Sequence, residues 1–495
     1  MIDPGRLFML GVEGTRPRPQ AVALLKATNA SGVLLLARNI QNPLQTRALT
    51  QGLQDRLGRR LLFAVDHEGG NVLRFQRGIT VFPGNAALGR LDSERAALEV
   101  GRQMGSELRA LGIEMNLAPV LDVLTERYNP GIGLRSFGSD PGLAARLGAA
   151  MIRGLEARGV RACAKHFPGK GAATKDAHVE LPTIHLSRPD FEKGHLLPFK
   201  AAIRSGASAV MSSHVLYPFF DSLPATFSKR IATGLVRGEL GFEGALITDD
   251  LCMGAVLQDR TIPAAALEAF QAGHDMLLIA FNPKEQRRAV ERLRESCVKG
   301  AVEASRLTES LGRVERLLER RPKPRGLPDF EKGARLCRMI AREALRVWPG
   351  QARLPVSRRE SLLVLFPDLR SVTARFTFEG GALAPERMIR RAFAAWKMRR
   401  FERVPLEGSI SEERLRMAVA EAGAVVCFCF EAARFAAEKA VLESLRRLAP
   451  SKTVVCYLRN PLDREAAPEM TAVVPYGYHA ASLASALAVI VKGAR

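Results

Sequence analysis

The chain has 495 residues, 47% hydrophobic and 25% charged, with a formal net charge of +22. That length and mixture can bury a large core without disulfides or a structural metal, which excludes a disordered polymer and a cysteine-stapled miniprotein. The longest apolar runs, such as Ala422–Phe430, fall well short of the roughly 18 residues of a membrane helix, so no membrane span is expected.

In chain order, the apolar runs Leu7–Glu13, Gly32–Ala37, Leu61–Glu68, Met115–Val123, Ala162–Phe167, Ala207–Val215, Gly244–Leu251 and Met276–Ala280 predict eight strands. Between them, segments such as Ser93–Leu111, Pro141–Arg158 and Pro263–Ala272 carry apolar residues at helical spacing. Strand–helix alternation implies right-handed parallel crossovers. Eight such units in about 300 residues fit a (β/α)₈ barrel better than an open sheet. A helix around Arg306–Arg321 would complete this unit.

Arg320–Pro328, RRPKPRGLP, is a Pro- and Arg-rich break that predicts a linker at about 320–330, dividing a barrel over 1–322 from a second domain over 323–495. A helix is expected over Glu331–Val347, then strands at Ser361–Phe366, Gly423–Phe430, Lys452–Leu458 and Ala472–Pro475, with helices such as Glu386–Arg400 and Ala433–Leu448 between them. That alternation predicts a doubly wound α/β/α sandwich.

Residues 320–495 hold 32 Lys+Arg against 18 Asp+Glu, so +14 of the net +22 lies there. Few aromatic residues interrupt this basic stretch, and no helix-turn-helix, zinc-finger or RNA-recognition pattern accompanies it, so no nucleic-acid partner is expected. The seven cysteines form no Cys-x-x-Cys pair and read as reduced, mostly apolar side chains. The first thirty residues carry Asp3 and Glu13 and lack a basic start before an apolar block. No export signal is expected, and the cytoplasm is the expected compartment.

A barrel of this kind gathers its active site at the carboxyl ends of its strands. There the sequence places Asp66-His67-Glu68, Arg135, Lys165-His166, Asp176-Ala177-His178, His214 and Asp249-Asp250, while the strand bodies are apolar. Such convergence of ionisable groups is hard to explain by packing. Asp250, next to Asp249 on a strand, should face the other way. Glu68 is expected to support the Gly69-Gly70 turn. The scattered histidines offer no metal-ligand spacing, and the segment Gly169-Lys170-Gly171 lacks the Ser/Thr of a phosphate-binding loop, so neither a metal nor a cofactor is expected.

KHFPGKGAATKDAHVELP (Lys165–Pro182) resembles the signature of glycoside hydrolase family 3, in particular its bacterial β-N-acetylglucosaminidases. The resemblance extends to VDHEGGNVLRF (Val65–Phe75), NLAPVLDV (Asn116–Val123), IGLRSFGSDP (Ile132–Pro141) and ITDDLCMG (Ile247–Gly254), and so covers about the first 320 residues. It implies a retaining exo-β-N-acetylglucosaminidase with Asp249 as nucleophile, a His178–Asp176 dyad as acid/base, and Asp66, Arg135, Lys165 and His166 as ligands of the sugar hydroxyls. It also implies a cell-wall (muropeptide) fragment as substrate, in peptidoglycan recycling. Two residues depart from the pattern: Lys170 stands where the family usually has His, and Ala177 where Ser is common. The alternatives are another exo-glycosidase of the family, a β-N-acetylglucosaminide phosphorylase, and a glycan-binding protein without turnover. A small glycan is the expected partner; the sequence leaves the oligomeric state open.

Overall fold

The computed structural model describes residues 3–319, 328–369, 384–396 and 398–493. Eight parallel strands form the first sheet: β1 (Phe8–Gly11), β2 (Gly32–Leu35), β3 (Leu62–Val65), β4 (Met115–Asn116), β5 (Arg161–Phe167), β6 (Ala209–Ser212), β7 (Ala245–Ile247) and β8 (Leu277–Ile279). Their order is β7-β6-β5-β4-β3-β2-β1-β8. A parallel bridge between Ile247 and Met276, with Thr248 N donating to Met276 O at 3.0 Å, joins the two ends into a barrel. Every residue of these eight strands is buried, as expected of parallel strands covered by helices outside and packed side chains within.

Local chemistry starts several of the surrounding helices. Asp140 accepts from Leu143 N and precedes Pro141, opening the helix Pro141–Glu156; Ser93 caps Glu94–Ala110 and Thr261 caps Ile262–Ala272 in the same manner. The fourth strand is far shorter than the expected Met115–Val123. Pro119 has no N–H for the ladder, and the chain beyond Asn116 instead follows β5 through single bonds, such as Leu121 N to Lys165 O at 2.6 Å.

The second sheet has the order β11-β10-β12-β13-β14-β9, built from β9 (Arg346–Trp348), β10 (Leu362–Pro367), β11 (Arg399–Val404), β12 (Ala424–Cys429), β13 (Thr453–Tyr457) and β14 (Thr471–Val474). Only β9 runs antiparallel, against β14. Alternate residues of the central strands enter different cores. Val364, Val426 and Val454 pack with the helices Ala384–Ala392 and Ala480–Lys492. Leu365, Val425, Cys427 and Val455 pack with Glu412–Glu421 and Ala436–Leu448. Helices therefore cover both faces, giving the α/β/α sandwich. All seven cysteines are unpaired.

Two helical expectations ran into strands. The helix expected over Glu331–Val347 ends at Ala344, before β9, and the one expected over Glu386–Arg400 ends at Ala392, before β11. Both missed strands are sheet edges: β11 exposes Arg399 and Arg400, and β9 is three residues with none buried, so neither carries the buried apolar run that marks an interior strand. The linker expected at about 320–330 lies mostly on 320–327, outside the described residues. The helix Phe330–Ala344 that follows packs Cys337, Ile340 and Ala344 into the barrel's core. Gly333 permits this approach, because a Cβ there would stand 2.2 Å from Thr80 Oγ1.

No helix among the described residues is long and apolar enough to cross a membrane.

Candidate active site

The polar residues singled out at the strand ends do converge. Asp66 follows β3 directly, Lys165 and His166 close β5, Arg135 ends a short turn over Gly133–Arg135, and Asp249 lies two residues beyond β7. Lys165 Nζ is 2.7 Å from both Asp66 Oδ1 and Glu68 Oε1. Arg135 pairs in two-pronged fashion with Glu68, Nε to Oε2 and Nη2 to Oε1, each at 2.9 Å. The same guanidinium lies 3.3 Å from His166 Nε2, and His166 Nδ1 is 2.7 Å from Asp122 Oδ2.

In a regular strand, consecutive side chains point to opposite faces. Lys165 and His166 nevertheless serve one network, because the register of β5 against β6 shifts between Lys165 and Phe167. Such irregularities re-aim side chains beside functional sites.

Glu68 is therefore no mere support of the glycine turn: its carboxylate fixes the two cationic side chains. Burial alone would raise its pKa; the adjacent Arg135 and Lys165 outweigh that and bring it down to about 2. Asp122, which the sequence offered only as one letter of a motif, ties two segments together. Besides His166, it accepts from the Lys170 backbone N–H at 2.6 Å. Burial pushes the Asp122 carboxyl up to about 6 despite the nearby Lys170 and Arg135. His166 falls well below its ordinary value, through burial first and then the cations Lys170, Arg135 and Lys165. The ring is therefore neutral, with its Nδ1 proton donated to Asp122 and Nε2 left to accept from Arg135.

The loop after β5 carries Lys170, Asp176 and His178. Gly171 lets it lie against Val123, where a Cβ would meet the carbonyl oxygen at 1.7 Å. Asn129 Nδ2 donates to Lys170 O at 2.8 Å. Farther along, Gly254 N donates to His178 O at 3.2 Å and Ala255 N to Ala177 O at 3.1 Å, docking this loop on the one that follows Asp249.

His178 Nδ1 is 2.7 Å from Asp176 Oδ1. Burial opposes ionisation of Asp176, but the bond and charge of His178 hold its carboxyl well below the usual range. A carboxylate at Nδ1 fixes the tautomer whose lone pair is on Nε2. The His178 side chain is 44% exposed, within reach of an entering ligand.

Asp249 is 16% exposed, and its Oδ1 accepts from Asp250 N at 2.9 Å. Burial would raise its pKa, yet Lys170, His214 and His178 together bring it below the ordinary value, so it is ionised at neutral pH. Asp250 points elsewhere: its Oδ1 accepts from Cys252 N and Ala280 N, each at 3.0 Å, and burial lifts it to about 6. His214 bonds to Thr226 Oγ1 and the Asp250 carbonyl, which makes it a buried support of the Asp249 loop.

The barrel thus presents an ionised carboxylate, a carboxylate-oriented imidazole and an interlocked set of charged and hydrogen-bonding side chains at one rim. Residues 5–317 match the family model described as "Glycosyl hydrolase family 3 N terminal domain". A β-hexosaminidase of Alkalilimnicola ehrlichii is 39% identical over 283 residues, 56% of this chain and 81% of the relative. One from Bordetella avium is 38% identical over 300 residues, 59% of this chain and 85% of its own length. The solved structure of a glycoside hydrolase family 3 β-N-acetylglucosaminidase from Paenibacillus sp. str. FPU-7 superposes with a TM-score of 0.90 at 29% identity, covering 99% of this chain and 96% of that one. With a family match across more than half its length, on the barrel that bears these groups, the chain belongs to glycosyl hydrolase family 3 and is a glycoside hydrolase.

Proposed function

We propose that the protein is a retaining exo-β-N-acetylglucosaminidase, with Asp249 as nucleophile and His178, oriented by Asp176, as acid/base. The observation that carries this reading is the pairing of an ionised carboxylate with a separate imidazole–carboxylate dyad on two docked loops. The similarity to a β-N-acetylglucosaminidase over 96% of that chain supports the choice of sugar.

In the first step an Asp249 oxygen attacks the anomeric carbon while the glycosidic bond breaks and the His178 imidazolium passes its Nε2 proton to the leaving oxygen. In the second, Nε2 takes a proton from water, whose oxygen attacks the anomeric carbon and releases the Asp249 carboxylate. Asp66, Lys165, Arg135 and His166 would hold the sugar's oxygens. Glu68 keeps Lys165 and Arg135 in place, and Asp122 keeps His166. The physiological substrate in this reading is an imported cell-wall fragment with terminal N-acetylglucosamine, cleaved in the cytoplasm during peptidoglycan recycling.

The test is hydrolysis of a panel of aryl glycosides (N-acetylglucosaminide, glucoside, xyloside) with the first-formed anomer read by NMR. The N-acetylglucosaminide should be the best substrate and the β anomer should appear first; an initial α product refutes double displacement. His178→Ala should lose about 10²–10⁴-fold with an unactivated leaving group and far less with a nitrophenolate. Equal small losses on both would remove His178 from the acid role. Adding inorganic phosphate should give no sugar 1-phosphate; its appearance would reassign the enzyme as a phosphorylase.

A further inference from the structure

Lys170 departs from the family's usual residue, and the catalytic scheme above does not use it. Its side chain is 8% exposed, its ammonium lies 3.9 Å from Asp249 Oδ2, and among the described residues Nζ has no hydrogen-bond acceptor. An ammonium carries three donors, and here none of them meets an acceptor among the described residues, so they are open to a ligand's oxygens. Lys170's own backbone N–H and C=O are fixed by Asp122 and Asn129, which places the root of the side chain beside the nucleophile.

We propose that Lys170 is a substrate-binding residue whose enclosed ammonium donates a hydrogen bond to a neutral oxygen of the sugar seated against Asp249. This deepens the proposed function and rests on that reading of the site. A neutral oxygen fits better than an anionic group, because an anion at Nζ would sit close to the Asp249 carboxylate and within the field of Asp122 and Asp176. A hydroxyl or the acetamido carbonyl supplies lone pairs without that repulsion. The same cation also lowers the pKa of Asp249, so the position links recognition of the sugar to ionisation of the nucleophile.

The experiment measures dissociation constants by NMR titration for the full chain and its Lys170→Met and Lys170→Gln variants. The probes are N-acetylglucosamine, its monodeoxy derivatives, glucose and xylose. Lys170→Met should bind the preferred sugar about ten- to a hundredfold more weakly, the effect of losing one charge-assisted hydrogen bond. It should match the unmodified protein on the one analogue that lacks the contacted oxygen. Lys170→Gln, which keeps an N–H donor, should recover part of the loss, and a preserved melting curve accompanies both variants.

Equal weakening toward every analogue, or unchanged affinity with only a shift in the acid limb of kcat/KM, overturns the proposal. A protein that prefers glucose or xylose refutes the N-acetylglucosamine reading, while Lys170 is judged by the same comparison on that sugar. Failure to bind any monosaccharide overturns both.

Discussion

The barrel and the second sheet each place buried ionisable groups at the carboxyl ends of parallel strands, with opposite outcomes. Beyond β12, Glu438 Oε1 accepts from Phe430 N and Oε2 from Glu431 N, each at 2.7 Å. Asp463 takes Ala432 N at 2.6 Å and Ala433 N at 3.1 Å, and Glu431 pairs with the buried Arg459. Every carboxylate oxygen of Glu438 and Asp463 is thus occupied by the loop it braces. In the barrel, by contrast, Lys170 Nζ has no acceptor among the described residues, and the dyad's imidazole reaches the surface. A buried acidic cluster whose carboxyl oxygens are all taken by backbone N–H groups is a brace; one that keeps an ionised carboxylate beside a cation with no acceptor of its own has the makings of a reactive site.

That contrast is most severely tested at Asp249. Asp249→Asn removes the carboxylate proposed as nucleophile and should cost at least about 10³-fold in kcat while leaving circular dichroism unchanged. A near-normal rate would return this residue to the structural class. Glu68 gives the intermediate case, a brace inside the reactive site. Glu68→Gln loosens Arg135 and Lys165 together, so KM should rise about tenfold or more, with stability lower by about 2 kcal/mol. Michaelis kinetics with denaturant titration separates these effects; an unchanged KM would show that those cations need no fixing.

The barrel was legible because its strands are short, mostly apolar and regularly spaced, and because the polar residues Asp66, Arg135, Lys165, His166, His178 and Asp249 fall at their carboxyl ends or in the loops beyond. The edge strands β9 and β11 were not, since RVW and RRFERV lack the buried run and resemble the neighbouring helices in composition. Within the site, the residues themselves could be read but not their partners. Glu68 acts through Arg135, 67 positions away, and Asp122 through His166, 44 positions away. Neither separation has a local signature. A lone acid at the end of an apolar run, such as Asp122 in Leu117–Val123, was the one available signal.

The smallest expected effect belongs to the brace, and pH exposes it. Burial pushes the Glu438 carboxyl up to about 8, against the weaker pull of its two backbone N–H bonds. The folded protein then holds a proton that the unfolded chain gives up near its ordinary value of 4.5. Stability from this group is therefore complete below about pH 4.5 and lost as pH rises through 8. Below about pH 7 other groups confuse the slope. Asp122, Asp250 and Asp463, raised to about 6, act in the same sense, while His67, His195 and His479, lowered to about 4, act in the opposite one. Between about pH 7 and 8.5 those groups are largely spent, and Glu438 acts first, joined toward the upper end by the seven thiols, whose ionisation burial suppresses in the folded chain and which work in the same sense. The melting temperature should fall across that interval, and Glu438→Gln, which cannot ionise and still offers one acceptor oxygen, should flatten the fall while leaving KM and kcat at pH 7 as they were. An identical slope in the variant would mean that Glu438 is already ionised, and that the second sheet holds a buried charge its fold has not neutralised.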